Sequence, residues 1–118
     1  MSTILHIAKR THWDKALEAG RLEAETAGAK GFIHCSMPHQ LVRVANSLFR
    51  GQNDLVLLAI DTDRVASEIR FENCRGGSEL FPHIHGPLNL DAVRCVYEFR
   101  PAGDGTFVLP QGLAADCR

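Results

Sequence analysis

The chain has 118 residues and sets 13 Lys and Arg against 14 Asp and Glu, a formal charge of −1 when its six histidines are neutral. That balance excludes a basic nucleic-acid wrapper and an acidic solvating tail, and 45% hydrophobic with 23% charged residues is the composition of one ordinary globular domain. A 13.0 kDa chain buries roughly two thirds of its unfolded surface on folding, enough for a single core without staples.

The first residues lack the basic start and apolar run of a signal peptide, and no segment approaches the ~20 apolar residues that span a bilayer, so no membrane partner and a cytoplasmic location are expected. Cys35, Cys74, Cys95 and Cys117 are irregularly spaced and form no C-x-x-C pair, which predicts reduced thiols rather than disulfides or a thiolate zinc site.

Residues 4–8 read as a first strand, interrupted by His6. Thr11 is the expected N-cap of a short helix in which Trp13, Ala16 and Leu17 recur on one face, with Asp14 near the positive end of its dipole and Gly20 as the stop. A polar connection over residues 21–30 leads to a second strand, Phe32-Ile33-His34-Cys35. Ser36 precedes Met37-Pro38 at the start of a stronger helix, where Leu41, Val44, Ala45 and Leu48 form the apolar stripe; Arg43, Asn46 and Arg50 point outward and Gly51 ends it. The apolar run 55–60 predicts a central strand buried on both faces, closed by Asp61-Thr62-Asp63.

Ile69 and Phe71 alternate with Glu68, Arg70 and Glu72, the pattern of a half-buried strand. Residues 74–78 form a mobile loop by composition. Residues 81–87 read as a short extended piece followed by a turn, and Val93, Cys95, Tyr97 and Phe99 alternate with Arg94, Val96 and Glu98 in a final long strand. After the turn at Asp104-Gly105, residues 107–109 are expected to fold back as a last short strand. Two early helices followed by a run of strands predict an α+β fold: one small domain over residues 1–110, with a fraying tail at 111–118.

His83 and His85 stand at i and i+2 of an extended piece, so both imidazoles project to one side. Histidine serves as acid, base and metal ligand. A metal would need further ligands from His34, Cys35, Asp61 or Glu72 on other strands, and as nothing in the spacing requires them no metal is assigned. His34 closes a strand two residues before a helix start, where crevices open and free N–H groups bind anions. Ser36 shares its side; the plain alternative is a histidine bonded to a backbone carbonyl beside a capping serine. Cys35 points toward the core and reads as packing.

His6 is either satisfied by backbone or lines a cleft. Glu72 and Arg70 share a face that is a solvated surface or a charged pair open to a ligand phosphate. Trp13 reads as a core anchor, and His12 and His39 as exposed. No P-loop, Rossmann, nucleophile-elbow or H-E-x-x-H motif is present.

The series Leu5-His6-Ile7, Trp13 with Ala16 and Gly20, Gly31-Phe32-Ile33-His34-Cys35-Ser36 with Gln40, Leu57-Leu58-Ala59-Ile60-Asp61, Glu72, and Phe81-Pro82-His83-Ile84-His85-Gly86-Pro87-Leu88 resembles the bacterial family called domain of unknown function nine hundred and fifty-two. The resemblance covers about residues 4–109, and His85 departs from it where most members are expected to carry tyrosine. That family resembles in turn the ADP-ribosyltransferase-like fold of the RNA 2′-phosphotransferases. The resemblance implies mainly antiparallel sheets forming a transferase-like cleft for NAD or ADP-ribose, with His6 in the place of the first-strand histidine and His34 near the ligand-facing spot of the second strand.

The expected site therefore has His34, His83 and Glu72 as catalytic groups and His6, Ser36, Gln40, Arg70 and His85 as ligand-binding groups. Its expected partner is a small anionic, nucleotide-type ligand, with no cofactor assigned; a non-catalytic binding module and a metal-binding protein are the alternatives. Four histidines sharing a cleft would be locally cationic between about pH 5 and 8 in a chain that is neutral overall.

Overall fold

The computed structural model describes residues 2–24, 32–73 and 76–110. Its elements run β1 (Thr3–Lys9), α1 (Arg10–Ala19), β2 (Arg21–Leu22), β3 (Ile33–His34), α2 (Pro38–Leu48), β4 (Leu55–Asp61), β5 (Glu68–Glu72), β6 (Phe81–His85), β7 (Leu88–Asn89) and β8 (Val93–Phe99). Short 3₁₀ turns follow β4 and β7. Among the described residues the strands form three sheets, β1-β4-β8, β2-β7 and β3-β6-β5, with every pairing antiparallel. This is the expected α+β arrangement, and no helix among the described residues is long and apolar enough to cross a membrane.

The apolar run that predicted a central strand is β4, buried at all seven positions between β1 and β8. Period-two alternation along these strands sorts their side chains into two cores. Leu5, Ile7, Leu55 and Leu57 meet Leu41 and Ala45 of α2 on one face. Ile4, Ala8, Val56, Leu58 and Ile60 meet Trp13 and Ala16 of α1 on the other, together with Ile33 and Ile84 from the β3-β6-β5 sheet. Full burial of each Leu, Ile or Val among them contributes about 1.5–3 kcal/mol, so these two layers fix how the sheets lie.

The register of the smaller sheet decides what faces outward. Ile33, Ile84 and Ile69 align across β3, β6 and β5 on its core side. Their neighbours His34, His83 and Arg70 therefore align on the other side. The chain after β3 joins the two sheets: Ser36 and Leu5 exchange backbone hydrogen bonds of 2.8 Å, and Cys35 N–H donates to the Pro82 carbonyl at 3.0 Å. Beyond His85 the turn needs Gly86, whose φ is +140° and whose missing Cβ would stand 2.6 Å from Ser67 Oγ.

Several expectations are corrected. The first helix is capped by Lys9 rather than Thr11, because the Arg10 N–H turns to the Asp54 carbonyl and the helical bonds start there. Leu17 is 55% exposed; only the Trp13 and Ala16 stripe of this short helix reaches the core. In α2 Leu41 and Ala45 are buried but Leu48 is 46% exposed, and the helix is capped by Phe49 before Gly51 is reached. Asn46 does not point idly outward: its Oδ1 accepts the Phe107 N–H at 2.7 Å.

Phe71 is 52% exposed because it stands at the far end of β5, an edge strand whose Ile69 alone reaches the core. Residues 107–109 form no strand; Phe107 inserts into the α2-side core and stacks on Phe99 at 4.6 Å, and that side chain, not a backbone ladder, anchors the segment. His12 is half-buried with its Nδ1 enclosed and unbonded, rather than exposed. Cys35 is free and buried as packing, and burial pushes its thiol far up. Cys95 is disulfide-bonded, against the expectation of reduced thiols, since irregular spacing carries no signal of such a pairing. Cys74, Cys117, part of the 21–30 connection and the 111–118 tail lie outside the described residues.

Candidate functional site

The outward side of the β3-β6-β5 sheet gathers the histidines. Within β6, His83 and His85 fall on the same side as their spacing requires, and β3 sets His34 directly across from His83. Across the other edge, Glu72 lies opposite Phe81, and its carboxylate reaches diagonally to both histidines. His83 Nδ1 stands 2.9 Å from Glu72 Oε1 and His85 Nε2 stands 2.8 Å from the same oxygen. The rings close into a cluster around Phe32, which stacks on His83 with centroids 4.6 Å apart and tilts against His34 at 4.7 Å and His85 at 5.0 Å. His34 meets His83 edge-on at 4.9 Å.

These contacts fix the protonation pattern. The two imidazole hydrogen bonds, that from His85 foremost, hold the Glu72 carboxyl below its usual range. An ionised carboxylate only accepts, so His83 donates from Nδ1 and His85 from Nε2. One oxygen thereby orients two rings, the arrangement by which a carboxylate positions a histidine for proton transfer or ligation. It also places a negative charge among the histidines, so the group is less cationic than histidines alone would be. Burial grades across the site: the His83 residue is 3% exposed, whereas His34 is exposed and His85 and Glu72 are half-buried.

His6 joins from the neighbouring sheet. Its Nδ1 donates to the His34 carbonyl at 2.6 Å, so it is bound to the backbone of the cluster rather than to its rings. Arg70 lies opposite His83 in the register, and its guanidinium is engaged by Glu68 at 3.0 Å. Ser36 is buried and its backbone makes the bridge to Leu5. Gln40 is 2% exposed and spends its carboxamide internally: Oε1 accepts the Met37 N–H at 2.9 Å, while Nε2 donates to Glu79 Oε2 at 3.0 Å and the Leu80 carbonyl at 2.8 Å. It fastens the start of α2 to the segment entering β6.

Of the residues picked out from the sequence, His34, His83, His85 and Glu72 thus share one cluster, His6 is one hydrogen bond away, and Ser36 and Gln40 hold the frame behind it. Phe32 is the member that sequence reasoning passed over. It sits two residues before His34 in an extended chain, and that spacing alone puts both rings on one side.

The chain matches the model of the family described as Protein of unknown function (DUF952) over residues 7–96. It is similar to the crystal structures of protein CC0527 from Caulobacter crescentus and of a double mutant of that protein, each 36% identical, covering 96% of this chain and 99% of that one with a TM-score of 0.83. The solution structure of CC0527 is also similar, at 36% identity over 95% of this chain and 94% of that one, with a TM-score of 0.77. No curated protein matches the chain.

Proposed function

The chain belongs to the family described as Protein of unknown function (DUF952), and since that membership brings no activity with it, we propose from the site itself that the histidine cluster binds a small nucleotide-type anion. The observation that carries this reading is the gathering of three imidazoles around one phenyl ring, two of them bonded to one carboxylate. Aromatic and imidazole faces offer a surface on which a base stacks, and ring N–H groups offer donors to phosphate oxygens. A ligand of the ADP-ribose kind, which the resemblance to the ADP-ribosyltransferase-like fold implies, has both parts.

In this reading the exposed His34 ring meets the ligand first, and His85, oriented by Glu72, is the group beside it able to pass a proton. His83, buried beneath Phe32, fixes the platform. That burial also favours the second reading, a binding module without turnover, because a ring closed off from solvent is poorly placed to exchange protons with a substrate. Isothermal titration separates them from nothing at all. ADP-ribose is expected to give a saturable heat that His34→Ala abolishes; no heat with ADP-ribose, NAD or a 2′-phosphorylated oligoribonucleotide overturns both. Among ligands that bind, His34-dependent conversion of the ligand marks an enzyme and its absence marks the module.

A further inference from the structure

We infer that Glu72, His83 and His85 form a binding site for one divalent transition-metal ion of the zinc class. Spacing within the sequence brought only two histidines together; the antiparallel register of β5 and β6 supplies the third ligand. One donor atom from each residue lies within 4.8 Å of the other two. The two nitrogens approach the Glu72 oxygen at 2.9 and 2.8 Å. Metal bonds of about 2.1 Å place neighbouring donors roughly 3.0 Å apart in an octahedral shell and roughly 3.4 Å apart in a tetrahedral one, so small rotations of these side chains bring all three onto a common ion.

The chemistry of the set is selective. Two imidazoles and a carboxylate suit zinc, iron(II), cobalt or nickel, whereas calcium and magnesium prefer all-oxygen shells. At present two N–H protons converge on one carboxylate oxygen, and a dication would take the place of both, leaving the nitrogens and the oxygen as its ligands.

The surroundings are prepared for this. Phe32 covers His83 and leans on His85, which restricts both rings and dries one side of the site. The other side is open: the side chains of His85 and Glu72 are 23% and 32% exposed, against 4% for His83. Three protein ligands with one wet side leave coordination positions for water or an anion, the pattern of a reactive rather than a purely structural ion. Arg70, the cation opposite His83 in the register, spends its hydrogen bond on Glu68 and acts on Glu72 through its charge.

The inference goes beyond the nucleotide reading and stands without it, because the metal alone is the probe. The whole chain, purified without a polyhistidine tag and stripped with EDTA, is titrated with Zn²⁺ by calorimetry and with Co²⁺ by visible absorption. One equivalent of each is expected to bind. Loss of an outer partner of a ligand weakens metal binding by about 10- to 100-fold, and loss of a ligand itself, in His85→Ala or Glu72→Gln, is expected to exceed that.

His39→Ala, at an exposed position on α2 outside the triad, is expected to leave the affinity unchanged. His83→Ala removes a buried ring and can unfold the chain, so His85→Ala, checked for fold by circular dichroism, carries the decision. Absence of saturable uptake, or one-equivalent uptake that neither His85→Ala nor Glu72→Gln weakens, overturns the inference. ADP-ribose titrated into the stripped protein reports on the nucleotide reading separately.

Discussion

A single carboxylate oxygen orients two imidazoles, one of them buried, and that asymmetry makes Glu72 the residue to perturb first. Glu72→Ala removes the carboxylate that His83 Nδ1–H donates to, and losing the acceptor of a buried donor costs more than losing a surface contact. Glu72→Gln keeps an oxygen that can accept from both rings. The urea midpoint is therefore expected to fall in Glu72→Ala and to recover most of the way in Glu72→Gln; equal midpoints for the two variants would mean that His83 does not depend on this acceptor. Gln40 makes the same argument within the frame. Its buried carboxamide serves Met37, Glu79 and Leu80 at once, so Gln40→Ala is expected to destabilise by about 1–3 kcal/mol in denaturant unfolding. Arg43→Ala, which breaks only the exposed pair with Glu79, is expected to change the midpoint little.

Among the elements, the segment after β8 is held by a buried side chain and a few single hydrogen bonds rather than by a ladder. Phe107 is 2% exposed, stacks on Phe99 and has its N–H taken by Asn46. Phe107→Ala is expected to cost about 3–5 kcal/mol, like other buried phenylalanine truncations, while Val108→Ser, 74% exposed, stays within about 0.5 kcal/mol. Thermal and urea unfolding of the two variants checks the contrast. The same segment shows why some elements could be read in advance and others could not. The runs in β4, β8 and α2 are long enough to declare their type, β4 by unbroken apolarity and the other two by period, although the α2 stripe stops short of Leu48, which is 46% exposed. Residues 107–109 carry apolar residues without a partner strand, and their neighbour, Asn46, lies 61 positions away. Likewise β2 and β7 pair over only two residues each, too short for any pattern. In the site, the shared side of His83 and His85 followed from their spacing, and Phe32 could have followed from its own. That Glu72 would complete the group depended on the β5-β6 register, which no local pattern specifies.

For the molecule as a whole, a formal charge of −1 conceals carboxylates that the fold keeps ionised, and these set its response to acid. Glu79 is held below its usual value of 4.5 first by the hydrogen bond from Arg43, then by that from Gln40, with the charges of Arg43 and His39 adding to the effect. Asp104 is held below 3.8 by the hydroxyl and backbone N–H of Thr106, with Arg50 nearby. Each has a lower pKa folded than unfolded, so the unfolded chain binds protons first as pH falls. Their contribution is complete above the unfolded values and drains away as pH drops through the folded ones. Between pH 7 and about 5 these groups leave the melting temperature flat; below about pH 4.5 it is expected to decline. Glu68 and Glu72 are lowered as well, so Glu79→Gln removes one titration of several and is expected to make the acid limb shallower while leaving the neutral plateau nearly in place. Because both groups are solvent-accessible, the Arg43 part of the effect is screened, and 0.5 M salt, where the Debye length shrinks to about 4 Å, is expected to narrow the difference between wild type and Glu79→Gln. Melting curves at half-unit intervals from pH 7 to pH 3, at low and high salt, measure both slopes, and an acid limb that Glu79→Gln leaves as steep as wild type would remove this pair from the account.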